Sequence, residues 1–325
     1  MRLSSSAAAI TVLAALAGLG PVAQAAAPSY VALGDSYSSG TGTRSYLDDG
    51  TSCQRSVYAY PSLIAAAKGY ALNFRACSGA KVADVRSTQL GALSSTTSYV
   101  TISVGGNDAG FSKVLTTCAE PGWMSDCNGA IDKAQAYIRN TLPGSLASLY
   151  GDIRARAPYA KVVVVGYPHV FDGEDCNAAT WFSPTEESRL NATADLLDTK
   201  TSAAASAAGF AFSNPTNRFL GHAVCDDVEW LNGLSNPVSE SYHPNRSGHS
   251  SGYTYLVSPL LTGSTVDVTT SLLQRARASA DVLAAQQRVY ADQDRTIEPE
   301  RFVAPDLTAV RESRCDRLRP AGTRG

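Results

Sequence analysis

The sequence predicts a parallel α/β protein, a β-sheet covered by helices on both faces. Three observations carry this expectation. Short apolar runs recur along the chain, stretches of helical periodicity alternate with them, and glycine-containing turns close several of the runs. Strands that alternate with helices need crossover connections, and such connections join parallel strands. Ligands of such sheets bind beyond the carboxyl ends of the strands. The residues that follow each run are therefore the first place to look for chemistry.

Tyr30-Val31-Ala32-Leu33 reads as a buried strand meeting a turn at Gly34-Asp35-Ser36. Arg55 to Ala67 has apolar residues near helical spacing and is expected to be a helix. Ala71 to Phe74 is a second strand, and Val82 to Leu93 a short helix. Tyr99 to Val104 is a β-branched strand that ends at Gly105-Gly106-Asn107-Asp108. A longer helical stretch runs from Ala130 to Ala157, kinked or broken at Pro143. Lys161 to Val165, with four valines in succession, is the clearest buried strand. Pro184 to Ala208 starts as helices do, with Ser183 as N-cap, Pro184 in the first turn, and Glu186 and Glu187 near the positive end of the dipole. Phe210 to Phe212 is a weak fifth strand, and Arg246 to Leu261 a final helix despite its glycines.

The two ends differ from this body. Arg2, the apolar run Ala7 to Leu19 and the pattern Ala23-Gln24-Ala25 describe a secretory signal peptide over residues 1–25. The run is shorter than the roughly 20 residues a bilayer span needs. Export with cleavage is expected, and no later segment reads as a span. From Ser264 the texture changes. Leu272 to Val289 keeps a helical pattern, but beyond Asp292 the chain is rich in Arg, Asp, Glu and Pro. Residues 264–325 are expected to be an extension, a solvated helix followed by a disordered tail.

Composition narrows the function classes. A formal net charge of −2 over 325 residues gives no basic face for nucleic acid and no strong attraction to anionic membranes. Seven cysteines suit an oxidising compartment. Six fall in sequential couples, Cys53 with Cys77, Cys118 with Cys127 and Cys176 with Cys225, although spacing alone leaves the connectivity open. Cys315 is left over. There is no C-x-x-C and no cysteine with histidines at ligand spacing, so no metal site is expected.

A serine becomes nucleophilic only when a base takes its proton and donors stabilise the oxyanion that follows. Ser36 sits where a strand meets a turn. Its surroundings lack the P-loop ending, the G-x-G-x-x-G spacing and the G-x-S-x-G elbow, and no cofactor motif is found. Taken alone, a Gly-Asp-Ser triplet is more often just a turn. Co-occurrence changes its weight. Gly79 in Cys77-Ser78-Gly79-Ala80 follows the second strand, Asn107 follows the third, and His243 stands in Tyr242-His243-Pro244-Asn245. The chain has only four histidines. His169, His222 and His249 are expected to be structural or surface groups, Asp108 a helix cap, and Trp123, Trp181 and Trp230 packing anchors.

In these four blocks, taken in order over Ser29 to Gly263, the chain resembles the GDSL or SGNH hydrolase superfamily. It is most similar to the secreted actinobacterial lipase/esterase branch, through Ala32-Leu33-Gly34-Asp35-Ser36-Tyr37-Ser38-Ser39-Gly40 and a three-disulfide pattern. The resemblance implies a three-layer α/β/α sandwich with a parallel sheet of about five strands, occupying residues 26–263. It also implies that Ser36 attacks an ester carbonyl and is acylated, with no cofactor. The Ser36 and Gly79 amides and the Asn107 side chain would hold the oxyanion, and His243 would be the base. The family's usual third member is an Asp three residues before the His. Here that residue is Glu240, and either its carboxylate or the main-chain carbonyl of Ser241 would orient the ring. The expected activity is secreted carboxylic ester hydrolysis by a lipase or esterase, phospholipase activity included, with small-molecule or lipid esters as substrates and transient contact with lipid surfaces. A polysaccharide O-acetyl esterase and an inactive binding protein on the same scaffold are the alternatives.

Overall fold

Five short strands, β1 (Ser29–Gly34), β2 (Ala71–Phe74), β3 (Tyr99–Ser103), β4 (Lys161–Val165) and β5 (Ala211–Ser213), form one sheet in the computed structural model, which describes residues 26–318. The leader expected over residues 1–25 lies outside the described residues. All four pairings are parallel, in the order β2-β1-β3-β4-β5. β1 and β4 are buried along nearly their whole length, as apolar strands covered on both faces must be. The order reverses beside β1, which has β2 on one side and β3 on the other. Crossovers leave these strands in opposite directions and open a crevice at their carboxyl ends.

Helices cover both faces. Helix 60–68 packs on helix 254–262, which rests on β4 and β5; helix 184–207 packs on helix 142–156 and on the same two strands. The fold is thus the three-layer α/β/α sandwich, its core running through Val31, Leu33, Val100, Ile102, Val163 and Val164, all at most 1% exposed.

Local differences from the sequence reading have physical causes. The helix expected from Arg55 starts at Tyr60, where Pro61 supplies a first-turn residue with no amide to satisfy. Arg55 is instead drawn into the interior. The stretch 130–157 divides into helices Cys127–Asn140 and Leu142–Arg156, with Pro143 in the first turn of the second. The helix expected after the third strand is Phe111–Ala119, which starts after Gly110 rather than at Asp108. The cysteines pair as 53–77, 118–127 and 176–225.

The tail beyond Asp292 requires a correction. Over the described residues up to 318 it is not a disordered tail but returns to the body. Asp294 is fully buried and binds two fully buried arginines, Arg55 through Nη2 at 2.6 Å and Arg75 through Nη2 at 2.8 Å. Asp49 takes the remaining charge of Arg55 at 2.7 Å. Gln287 accepts from Arg75 at 3.0 Å, and the Tyr290 ring lies 3.9 Å from its guanidinium. The acidic residues that suggested solvation include the counter-ion of the core. Breaking a buried pair from one side leaves an unpaired charge and costs about 3–5 kcal/mol. Asp294→Ala should lower the denaturant midpoint by a stability loss of that size, whereas Asp267→Ala, on the exposed surface, should change it little.

Candidate active site

The site begins with a close approach of two strands. Gly34 has φ +116°, and a Cβ there would fall 2.2 Å from the Ser103 carbonyl oxygen. Only glycine lets β1 end this close to β3. Asp35 donates its amide to that same oxygen at 3.0 Å. Its buried carboxylate then receives the Tyr37 amide at 3.0 Å, the Ser103 hydroxyl at 2.7 Å and the Tyr167 hydroxyl at 2.5 Å. Burial pushes the Asp35 pKa up to about 6, against the pull of these donors. Asp35 thereby caps the one-turn helix Ser36–Ser39, whose chain direction turns again at Gly40 with φ +99°. Ser36 is the first residue of that helix, so its amide has no intrahelical acceptor.

Two further turns supply donors. After β2, the amides of Cys77, Ser78 and Ala80 are taken by the carbonyls of Gly34, Cys53 and Cys77. The Gly79 amide is not engaged in this way among the described residues. After β3, Asn107 gives one side-chain N–H to the Ala80 carbonyl at 3.1 Å. That bond fixes the amide and leaves its second N–H for a ligand. Asp108 does not cap the following helix as expected. Its carboxylate accepts from the Val82 amide at 3.0 Å, tying the Asn107 turn to the Gly79 turn.

His243 arrives from a long connection after β5. Tyr37 donates to the Tyr242 carbonyl at 2.9 Å, and the Asn232 amide donates to the His243 carbonyl at 2.9 Å. The imidazole Nε2 lies 2.9 Å from Ser36 Oγ, and Nδ1 lies 2.8 Å from the Ser241 carbonyl oxygen. A carbonyl can only accept, so Nδ1 carries the proton and Nε2 is free to accept from the serine. Burial holds the ring neutral, its pKa pushed down to about 4 against the smaller upward pull of the Ser241 carbonyl. Ser36, Gly79, Asn107 and His243 all line one pocket, so the sequence-predicted set is brought together from more than two hundred positions apart.

Glu240 is not part of that set. Its carboxylate is buried but turned away, accepting from Tyr46 Oη at 2.6 Å and facing Arg44 Nε at 3.6 Å. The Ser241 carbonyl occupies the place at Nδ1. Tyr37 and Tyr46, which hold the histidine loop, escaped the sequence reading. The signal available was only that Tyr37 adjoins the serine. His169 pairs with Asp195, His222 stacks on Trp230, and buried His249 accepts from the Tyr60 amide, which makes all three structural.

A serine bonded to an imidazole that is itself held by a carbonyl, at the switch point of a parallel sheet, defines a serine-type hydrolase. Comparison with known proteins narrows the class. Residues 32–250 match the model of the GDSL-like Lipase/Acylhydrolase family, and the chain belongs to that family of carboxylic ester hydrolases. A lipase of Streptomyces rimosus is 44% identical over 263 residues, which cover 78% of this chain and 97% of the relative. The crystal structure of the extracellular lipase from Streptomyces rimosus superposes with a TM-score of 0.68 at 43% identity, covering 74% of this chain and 100% of that one. That of phospholipase A1 from Streptomyces albidoflavus also gives 0.68, at 42% identity over 73% of this chain and 99% of that one.

A pH profile of kcat/KM on a soluble ester, for wild type and Glu240→Gln, tests the His243 geometry. A neutral, buried base places the acid limb well below pH 6.5, toward about 4, because protonation there removes the acceptor for the serine proton. Glu240→Gln should leave that limb unmoved and the rate within about threefold, against the roughly 10⁴-fold loss seen when a carboxylate that holds a catalytic imidazole is neutralised.

Proposed function

We propose that the protein is an exported lipase or esterase that works through an acyl–Ser36 intermediate. The observation that carries this reading is the 2.9 Å contact of Ser36 Oγ with an imidazole nitrogen left unprotonated by the Ser241 carbonyl. His243 Nε2 takes the Ser36 proton as Oγ adds to the ester carbonyl. The oxygen that gains charge is held by the amides of Ser36 and Gly79 and by Asn107 Nδ2. The alcohol then leaves with the proton from His243, and water, activated by the same nitrogen, releases the acid and restores the serine. Each donor of such an oxyanion site is typically worth about 10²–10³ in kcat.

Lipid-like acyl esters are the substrate class this reading favours. An almost wholly apolar crevice, about 40 Å³ as it stands, is bordered by Tyr37, Gly106, Phe111, Val114, Ile138 and Leu190 and adjoins the residues next to Ser36 and Asn107; once widened, such a surface attracts a chain of methylenes. Similar proteins are named lipases and a phospholipase A1. Export is supported by the leader pattern and by three disulfides. Among the described residues no helix is long and apolar enough to cross a membrane.

Hydrolysis of p-nitrophenyl esters of rising chain length, of phospholipid vesicles and of acetyl-xylan should favour the acyl esters over the acetylated polysaccharide. Ser36→Ala should abolish both turnover and fluorophosphonate labelling. Labelling that persists in Ser36→Ala, or acetyl-xylan as the best substrate, would overturn the reading.

A further inference from the structure

The pocket that holds Ser36 and His243 is walled in part by the protein's own C-terminal segment. After the Asp294 anchor the backbone leaves regular structure, and Pro299, Glu300, Arg301 and Phe302 form one wall of the pocket. Pro299 presses on the oxyanion turn. A Cβ built on Gly79 would lie 2.3 Å from Pro299 Cα and 2.5 Å from its Cβ. Phe302, 6% exposed, packs edge-on to Tyr242, the residue before the catalytic histidine, with ring centres 5.0 Å apart. The space that remains is about 20 Å³. That volume admits about one water molecule, whereas pockets for organic ligands measure on the order of 300–1,000 Å³. An acyl ester and this segment cannot occupy the site together.

We infer that residues 298–303 are an autoinhibitory strap that must leave the pocket before an ester reaches Ser36. The inference rests on the reading of Ser36 and His243 as the reacting pair. The strap is held unevenly along its length. On one side Asp294 is locked to Arg55 and Arg75 in the core. On the other, helix Leu307–Leu318 docks through Val310, 7% exposed, and through Ser313, whose hydroxyl accepts from Trp123 Nε1 at 3.3 Å. Between these ends the holds are lighter. They are the Pro299 contact with Gly79, the Phe302 ring, the Val303 amide on Thr116 Oγ1 at 2.9 Å, and a Lys81–Glu300 pair at 2.7 Å whose side chains are more than a third exposed. An exposed pair of that kind contributes little. The middle can therefore lift while both ends stay attached. A cut in the exposed stretch after Asp294 would free it without disturbing the buried charges.

The test compares the full chain with a variant ending at Ile297, which keeps Asp294, and with the full-length variants Phe302→Ala and Glu300→Lys. The readouts are the second-order rate of fluorophosphonate labelling at Ser36 and kcat/KM for p-nitrophenyl butyrate. Truncation should raise both by about tenfold or more, the reciprocal of the fraction of molecules open in the full chain. The two point variants should raise them by less. Should the truncated chain fail to fold, the point variants decide alone. Labelling and turnover that are unchanged or slower in the folded variants would overturn the strap and make residues 298–303 a working wall of the site. Absence of labelling in every form, the full chain included, would instead bring down the reading of Ser36 itself, and the strap with it.

Discussion

The approach of β1 to β3 at Gly34 is the constraint on which the site depends. With the Ser103 carbonyl only 2.2 Å from the place of an absent Cβ, the chain has no room for a side chain and must turn at once. Asp35 then bonds back to that carbonyl and caps the helical turn that presents Ser36. The nucleophile is thus placed by backbone packing in the sheet. Its hydroxyl stands at the point where the strand order reverses, so the turns after β2 and β3 reach the same pocket. Gln89 reinforces the position by exchanging two hydrogen bonds with the Gly34 main chain, at 2.7 and 2.9 Å.

A second constraint is electrostatic. Arg55 and Arg75 lie wholly inside the protein, and buried guanidinium groups stay charged, so carboxylates must accompany them. Asp49 supplies one and Asp294 the other. The consequence reaches the active site. By binding Asp294, the core anchors the C-terminal segment five residues before Pro299, which lies against Gly79.

Much of this was legible in the sequence, and the limits are physical. The five strands could be read because apolar runs in a doubly covered sheet have no polar face to confuse their pattern. Ser36, Gly79, Asn107 and His243 could be singled out because each follows a strand end or a distinctive turn. Glu240 could not be assigned from its spacing. Whether it meets the imidazole depends on Tyr46 and Arg44, which lie far away in sequence and draw it elsewhere. The tail was misjudged for a related reason. Composition treats Asp294 as one more solvated charge, and only the fold reveals that its partners lie 239 and 219 residues earlier. Helix starts moved where Pro61 or a buried arginine overrode periodicity.

The central claim is that Ser36 itself becomes acylated, with His243 as the group that later admits water. Acid quenching of the full chain during turnover of a slowly deacylated ester, followed by peptide mass spectrometry, tests it most directly. The account predicts an acyl mass on the peptide that contains Ser36 and its loss in Ser36→Ala. An acyl group on another residue, or turnover with no covalent adduct at any quench time, would contradict it.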